Sequence, residues 1–250
     1  MYNNLKILYH QGKQFIPDVT TAKVPGIFRG RHVISTVKVD EGALKQICPV
    51  EAIAINPIRI DLGKCTFCGE CAMCFPEKIS FTTDYKIATN YRDGLIIKEG
   101  DDKAVVINPG KVRKEIRSLF GSSLKLRQVS AGGDNSCEWE LGATNNVQFD
   151  MGRFGIEFVA SPRHADGIVI TGPITENMAE ALQICYDATP DPKIIVLVGT
   201  DAISGGIFSG SQALDRSFLD KYPIDLYIPG NPAHPLTIIN GLLDLTRKMK

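Results

Sequence analysis

Short apolar runs alternate with amphipathic stretches along the second half of the chain. Turn residues bound the apolar runs, which predicts strands of a buried parallel sheet at 124–129, 156–159, 168–171, 194–198 and 226–228. Apolar residues between these runs recur at helical spacing, which predicts helices that open near residue 138 and that cover 175–186 and 236–248. This alternation indicates a doubly wound α/β domain, with functional loops at the carboxyl ends of its strands.

The first half has weaker periodicity, with short strands predicted at 52–55 and 79–82. Residues 90–102 are polar and rich in turn residues, so we expect the first domain to end there. Asn108 followed by Pro109 is a typical helix start, and this helix is expected to end at Gly121 and to bridge the domains. The predicted organisation is a first domain at 1–95, a linker and bridging helix at 96–122, and an α/β domain at 123–250.

Three cysteines of the first half follow a Cys-x2-Cys-x2-Cys spacing: Cys65, Cys68 and Cys71. This spacing lets three thiolates turn inward on one tight loop, as in loops that hold one corner of an iron–sulfur cluster. A cubane cluster takes its fourth thiolate from elsewhere, and Cys48, which precedes Pro49, corresponds to the Cys-Pro end of a preceding ferredoxin half-motif. We therefore predict one [4Fe–4S] cluster bound by these four cysteines, in a ferredoxin-like iron–sulfur domain at 1–95.

Other uses of these cysteines fit the spacing less well. Zinc sites usually have two Cys-x2-Cys pairs or mixed Cys/His sets, and no histidine lies between Cys48 and Cys74. A second cluster would need a cysteine at position 75, which is Phe75, and a further triplet upstream. Cys74 lies one residue early for the usual run, so it is either a spare thiol or a substitute for one of the four ligands. We favour the spare thiol.

Composition excludes several classes of function. Lysine plus arginine equals aspartate plus glutamate, so the formal net charge is zero and no basic stripe indicates a nucleic-acid partner. No apolar run reaches the length of a membrane span. Seven cysteines that include a cluster motif indicate a reducing compartment.

The loops of the α/β half resemble a known family. Four segments, at 153–166, 171–175, 204–208 and 227–230, resemble the small subunit of membrane-bound, energy-converting [NiFe] hydrogenases. The same domain is the cluster-bearing subunit next to the quinone site of respiratory complex I. The first half, with Phe28-Arg-Gly-Arg31 before the cysteines, resembles the ferredoxin-type subunit of the same complexes. The resemblance covers roughly residues 25–245 and implies a natural fusion of two neighbouring subunits, with a flavodoxin-like second domain.

The resemblance also implies where a second cluster would lie. The family's small subunit holds a proximal [4Fe–4S] cluster with four cysteines, whose positions in this sequence are Asp134, Cys137, Asp201 and Asn231. Only Cys137 keeps the thiol. One thiolate, two carboxylates and an amide do not suit a cubane cluster, so we expect this proximal site to be degenerate and empty. Water and the substituted side chains are then expected to fill the cavity; a proton or ligand site at Asp134, Asp201, Glu138 and His164 is the alternative.

Two functions follow from the resemblance. In the first, the chain is an electron-transfer subunit, without its own catalytic centre, of a hydrogenase-like or complex I-like oxidoreductase. In the second, it is a redox-silent structural subunit that anchors a large-subunit homologue lacking the nickel–iron site. Either function implies a large-subunit partner, membrane-arm subunits of an ion-translocating complex and a place on the cytoplasmic, inner face of the cell membrane. If the chain is an electron-transfer subunit, a soluble ferredoxin is a further expected partner.

Overall fold

A computed structural model describes residues 2–12 and 14–247. Within these ranges, none of the helices combines the length and the apolar character needed to cross a membrane. The elements of the first half are short: α1 (Tyr2–Gln11), β1 (His32–Ile34), α2 (Glu41–Gln46), β2 (Ile53–Ala54), β3 (Arg59–Asp61), α3 (Glu70–Cys74), β4 (Ile79–Phe81) and β5 (Ile96–Lys98). Strands β1 and β4 form one antiparallel pair, and β2, β3 and β5 form an antiparallel sheet.

The second half alternates strands and helices as its hydrophobic pattern predicts. Its elements are α4 (Lys114–Leu119), β6 (Leu124–Ser130), α5 (Ser136–Ala143), β7 (Ile156–Phe158), β8 (Gly167–Thr171), α6 (Glu176–Ala188), β9 (Ile194–Val198), α7 (Thr200–Ser204), α8 (Ser217–Lys221), β10 (Leu226–Ile228) and α9 (Pro235–Thr246). All the predicted strands are present, and the helices predicted near residue 138, at 175–186 and from residue 236 differ by one or two residues at their described ends. The predicted end of the last helix, at Lys248, lies outside the described residues.

The second-half strands form one parallel sheet in the order β7-β6-β8-β9-β10. In sequence order this is 2-1-3-4-5, the doubly wound flavodoxin-like order, so the predicted class of this half is confirmed. Alternate residues of β9 enter two apolar cores on opposite faces of the sheet: Val196 and Val198 on one, Ile195 and Leu197 on the other. The carboxyl ends of the strands therefore meet at one edge.

The two halves share the second of these apolar cores. Ile34 and Leu62 of the first half are buried in the same cluster as Ile168 and Ile195 of the sheet. Thr89 also exchanges both backbone hydrogen bonds with Tyr227, which extends the sheet edge beyond β10. The ferredoxin-like character of the first half and the boundaries at 95 and 122 stay predictions, although β5 at Ile96–Lys98 already pairs with β3.

The bridging helix begins later than predicted. Asn108 accepts a hydrogen bond from the Gly110 N–H, as a cap should, but only one 3-10 turn follows, over Pro109–Lys111. Helix α4 starts at Lys114, and the Arg113 guanidinium contacts Asp225 at 2.9 Å in the sheet domain. The prediction of a continuous helix from Pro109 is wrong, because the extended backbone of Val112 and Arg113 separates the 3-10 turn from α4.

Candidate functional site

The four cysteines assigned to the cluster line one cavity. Cys48 follows α2, Cys65 and Cys68 lie between β3 and α3, and Cys71 lies within α3. All four border one cavity. Cys74 is exposed and does not line this cavity, which agrees with its interpretation as a spare thiol.

Backbone conformation turns the cysteine loop around this cavity. Phe67 and Gly69 have positive φ angles of 55° and 86°, in the left-handed region. The Arg29 guanidinium donates hydrogen bonds to the carbonyl oxygens of Phe67 and Cys68, at 2.9 and 2.7 Å. A Cβ atom at position 69 would lie 3.0 Å from the Arg29 guanidinium carbon, so glycine leaves room for this arginine. The loop is thus held from outside the cavity while its sulfurs face inward.

Hydrogen-bond donors point at two of the sulfur atoms. The Ala52 N–H donates to Cys48 Sγ at 3.2 Å, and the Phe67 N–H donates to Cys65 Sγ at 3.3 Å. The buried His32 ring places Nε2 at 3.5 Å from the same Cys65 sulfur, and burial lowers the pKa of His32 to about 4. Donors of this kind stabilise thiolates and bound sulfide, so the cavity suits an anionic cluster.

The thiols are costly to ionise without a metal. Burial raises the pKa of Cys65 to about 12 and that of Cys71 to about 11. The four thiols around the cavity are the ligand type that a four-iron cluster takes, with one cysteine on each iron. Across the described ranges, no three His, Cys, Asp or Glu side chains are placed to share a single metal ion.

The four positions that the resemblance assigns to the proximal cluster, the site predicted to be degenerate, lie at the carboxyl edge of the parallel sheet. Asp134 and Cys137 follow β6, Asp201 lies in α7 after β9, and Asn231 follows β10. Asp134 is exposed, whereas Cys137 and Asp201 are buried. The charges of Asp134 and Asp201 both help to raise the Cys137 pKa, so these three groups are near neighbours.

Asp201 is an uncompensated buried carboxyl group. Burial, followed by the negative charges of Asp134 and Glu138, raises its pKa to about 6, and Arg216 opposes the shift. Its Oδ1 atom is buried and has no hydrogen-bond partner among the described residues. Oδ1 packs directly against Gly206, where an added Cβ would lie only 1.8 Å away. The carboxyl group thus fills space beside the Gly205–Gly206 turn.

The Cys137 sulfur also fills space in the degenerate site. A Cβ atom at Gly199 would lie 2.4 Å from Cys137 Sγ, so the thiol occupies the volume that this glycine leaves free. Only 7% of Cys137 is exposed, and burial raises the pKa of its thiol to about 12. The thiol is consequently protonated at neutral pH and packed as a core side chain.

We expect iodoacetamide to alkylate Cys137 roughly a hundredfold more slowly than Cys74 in the native protein, because a raised pKa and burial both suppress thiolate attack. Mass spectrometry of tryptic peptides after timed quenching measures both rates in one sample. Unfolding in urea should bring the two rates together. Equal rates in the native protein would contradict the buried placement of Cys137.

A pair of hydroxyl groups was missed by sequence reasoning. Ser130 and Thr171 are the last residues of the neighbouring strands β6 and β8, and both donate to Glu138 Oε1 at 2.6 Å. Their positions at the ends of adjacent parallel strands are the signal that would have found them. His164, proposed from the sequence as a neighbour of the acidic groups, is exposed and does not contribute to the Asp201 pKa shift.

Thr200 connects the two candidate sites. Its hydroxyl donates to the Cys65 carbonyl oxygen at 2.9 Å, and the next residue in the chain is Asp201. Thr200 is 1% exposed, so this hydrogen bond lies inside the interface between the halves. A side chain next to Asp201 therefore contacts the backbone of one of the predicted cluster ligands.

We expect Thr200→Val to lower the stability of the chain by about 1–3 kcal/mol, because the isosteric valine leaves the buried Cys65 carbonyl without its donor. Thr200→Ser keeps the hydroxyl and serves as the matched control. Thermal melting of the cluster-loaded protein, followed by circular dichroism, compares the variants. A valine variant as stable as the serine variant would show that the hydrogen bond contributes little.

Comparison with known proteins places the sheet domain in a family. A sequence profile described as NADH ubiquinone oxidoreductase, 20 Kd subunit, matches residues 135–245. A probable membrane-bound hydrogenase subunit of Pyrococcus furiosus is 33% identical over 142 residues, which cover 56% of this chain and 85% of that protein. An NADH-quinone oxidoreductase subunit of Bacteroides thetaiotaomicron is 44% identical over 115 residues, which cover 46% of this chain and 58% of that protein.

A solved structure is also similar. A chain of the membrane-bound sulfane sulfur reductase, described as an archaeal respiratory membrane complex, is 32% identical, with a TM-score of 0.44 and coverage of 50% of this chain and 69% of that one. The Pyrococcus match spans most of that relative, and it confirms the resemblance first seen in the strand-end loops. This chain belongs to the family of the NADH ubiquinone oxidoreductase 20 kDa subunit.

Proposed function

We propose that this chain is an iron–sulfur electron-transfer subunit of a membrane-associated complex related to hydrogenases and to NADH-quinone oxidoreductase. It carries one [4Fe–4S] cluster, bound by Cys48, Cys65, Cys68 and Cys71. The observation that carries this proposal is the placement of these four thiols, from separate parts of the first half, around one cavity. The bound cluster supplies one-electron transfer.

The surrounding residues prepare this cavity for an anionic cofactor. The amide N–H groups of Ala52 and Phe67 donate to cysteine sulfurs, and Arg29 fixes the loop through two carbonyl oxygens. Buried apolar side chains, including Ile53 and Ile60, line the cavity and limit access of water. These features support a cluster that is stable enough to transfer electrons repeatedly.

The sheet domain has no second cluster in this proposal. Among the four degenerate positions, Cys137 alone has a thiol, and Asp134, Asp201 and Asn231 supply only oxygen or amide groups. The Cys137 and Asp201 side chains pack against Gly199 and Gly206, where their volume replaces that of a cofactor. Electrons therefore leave the chain from the first-half cluster, next to the Thr200 contact.

Partners and location follow from the family. The relatives are a probable membrane-bound hydrogenase subunit and a subunit of NADH-quinone oxidoreductase. We propose that this chain binds a large-subunit homologue and membrane-arm subunits of an ion-translocating complex, at the cytoplasmic face of the membrane, and accepts electrons from a soluble ferredoxin.

Iron and acid-labile sulfide analysis of the anaerobically purified chain tests this proposal, together with EPR spectroscopy of the reduced sample. About four irons per chain and one cubane signal are expected. About eight irons would mean that the degenerate site still holds a cluster. Absence of iron after anaerobic reconstitution would overturn the proposal.

The loss of three of the four proximal cysteines favours a second candidate function. The chain would then be a redox-silent anchor for a large-subunit homologue that lacks nickel ligands, and its cluster would serve the fold. Reduction of the purified complex by a ferredoxin distinguishes the two. A cluster that the donor reduces and the complex reoxidises supports electron transfer, whereas a cluster that never turns over supports the anchor.

A further inference from the structure

His32 is a buried histidine beside the proposed cluster. It is fully buried at the start of β1, where it pairs in register with Phe81 of β4. The Phe81 and Phe67 rings lie 4.3 and 5.4 Å from the imidazole, measured between ring centroids. These contacts fix the ring orientation and place Nε2 at 3.5 Å from Cys65 Sγ.

The proton on the ring can be assigned from its surroundings. Nδ1 is buried and has no hydrogen-bond partner among the described residues, so the Cys65 sulfur is the polar contact of the ring. A cluster-bound thiolate is only an acceptor. Nε2 therefore carries a proton directed at the sulfur, whether the imidazole is neutral or charged.

We propose that His32 is a positioning and tuning residue that donates an Nε2–H hydrogen bond to Cys65 and raises the reduction potential of the cluster. This inference rests on the proposed function, since it needs a cluster at the cysteine cavity. Hydrogen bonds to ligand sulfur raise the potential, because reduction adds negative charge that the donor stabilises. His32 is the side-chain donor at Cys65; the other donor there is the Phe67 backbone N–H, which a side-chain substitution leaves in place.

Three variants separate the hydrogen bond from packing. His32→Leu removes the donor. His32→Gln restores an N–H group near the position of Nε2, because the glutamine amide lies at a similar distance from Cα. Ile34 is buried in the same strand and does not line the cavity, so Ile34→Val loosens the packing of β1 without changing the donor and is the matched control.

The midpoint potential, measured by EPR-monitored redox titration of the cluster-loaded full chain, is the main readout. His32→Leu is expected to lower the equilibrium constant for reduction about tenfold. For a one-electron couple this corresponds to a midpoint potential about 59 mV lower than that of wild type. His32→Gln should recover most of this shift, and the potential of Ile34→Val should stay within about 28 mV of wild type, which is a threefold change in the reduction equilibrium. The inference would be overturned by a His32→Leu protein that has full iron content and a midpoint potential within about 28 mV of wild type, a threefold change in the reduction equilibrium.

A second measurement needs only the wild-type chain and covers the case in which His32→Leu fails to hold a cluster. Pulsed EPR of the reduced protein, labelled with ¹⁵N-histidine, should detect a weak coupling from the nitrogen next to Cys65. Full iron content without this coupling overturns the inference but leaves the proposed function intact. Wild-type protein that binds no iron overturns the proposed function, and this inference with it.

Discussion

Cys68→Ala is expected to abolish the iron–sulfur cluster. Four thiolates from one cavity hold the cluster in the proposed function, and a cubane with one ligand removed is exposed to solvent and lost during purification. Cys68 is itself exposed, so its replacement creates no cavity in the core. Iron content should fall from about four per chain to a small fraction of that value, and the cubane EPR signal should disappear.

Two cysteine variants are the controls for this loss. Cys74→Ala and Cys137→Ala remove thiols that do not line the cavity, so both should keep about four irons per chain. Circular dichroism before iron analysis distinguishes an unfolded variant from a folded one without a cluster. Retention of iron by Cys68→Ala together with its loss from Cys74→Ala would show that Cys74 and not Cys68 is a ligand.

The sheet domain was predictable because its pattern is local and repeated. Runs such as Ile194–Val198 are apolar on both faces, which only a covered parallel strand tolerates, and the structure covers both faces of β9. The strand order also fixes the degenerate positions at one edge, since each follows the carboxyl end of a strand. The resemblance to the family then identified which of these loop positions correspond to the ligands of the proximal cluster.

Long-range polar contacts could not be predicted in the same way. His32 approaches Cys65 across more than thirty residues, Thr200 approaches Cys65 from the other half, and Arg113 reaches Asp225. Nothing in the local sequence signals these pairs, because a single hydroxyl or imidazole carries no periodic pattern. Local capping at Asn108 favoured a continuous helix, but only one 3-10 turn follows it before the extended Val112.

The buried carboxyl group of Asp201 is expected to affect the stability of the chain. Its Oδ1 atom has no hydrogen-bond partner in the described part of the chain. An uncompensated buried carboxylate is expected to make folding depend on pH.

Asp201→Asn is expected to stabilise the chain at pH 8 and to have little effect near pH 4. Burial raises the Asp201 pKa from 3.8 to about 6, so the folded state holds its proton more tightly than the unfolded state does. Stability from this group therefore falls as the pH rises from about 4 to about 6, and the penalty above that range is about 3 kcal/mol. The neutral amide has no such penalty. Thermal melts of both cluster-loaded proteins at several pH values measure the difference.

The difference in stability between wild type and Asp201→Asn at each pH is more informative than either melt alone, because the cluster and the other titrating groups are common to both proteins. An advantage of the variant that grows between pH 4 and pH 6 and then stays constant identifies the Asp201 carboxyl group as its source. Asp215→Asn is the control: hydrogen bonds from Ser217 lower the pKa of this exposed carboxyl group, so its replacement should give no gain at pH 8. A constant advantage of Asp201→Asn at every pH would instead indicate a packing effect beside Gly206.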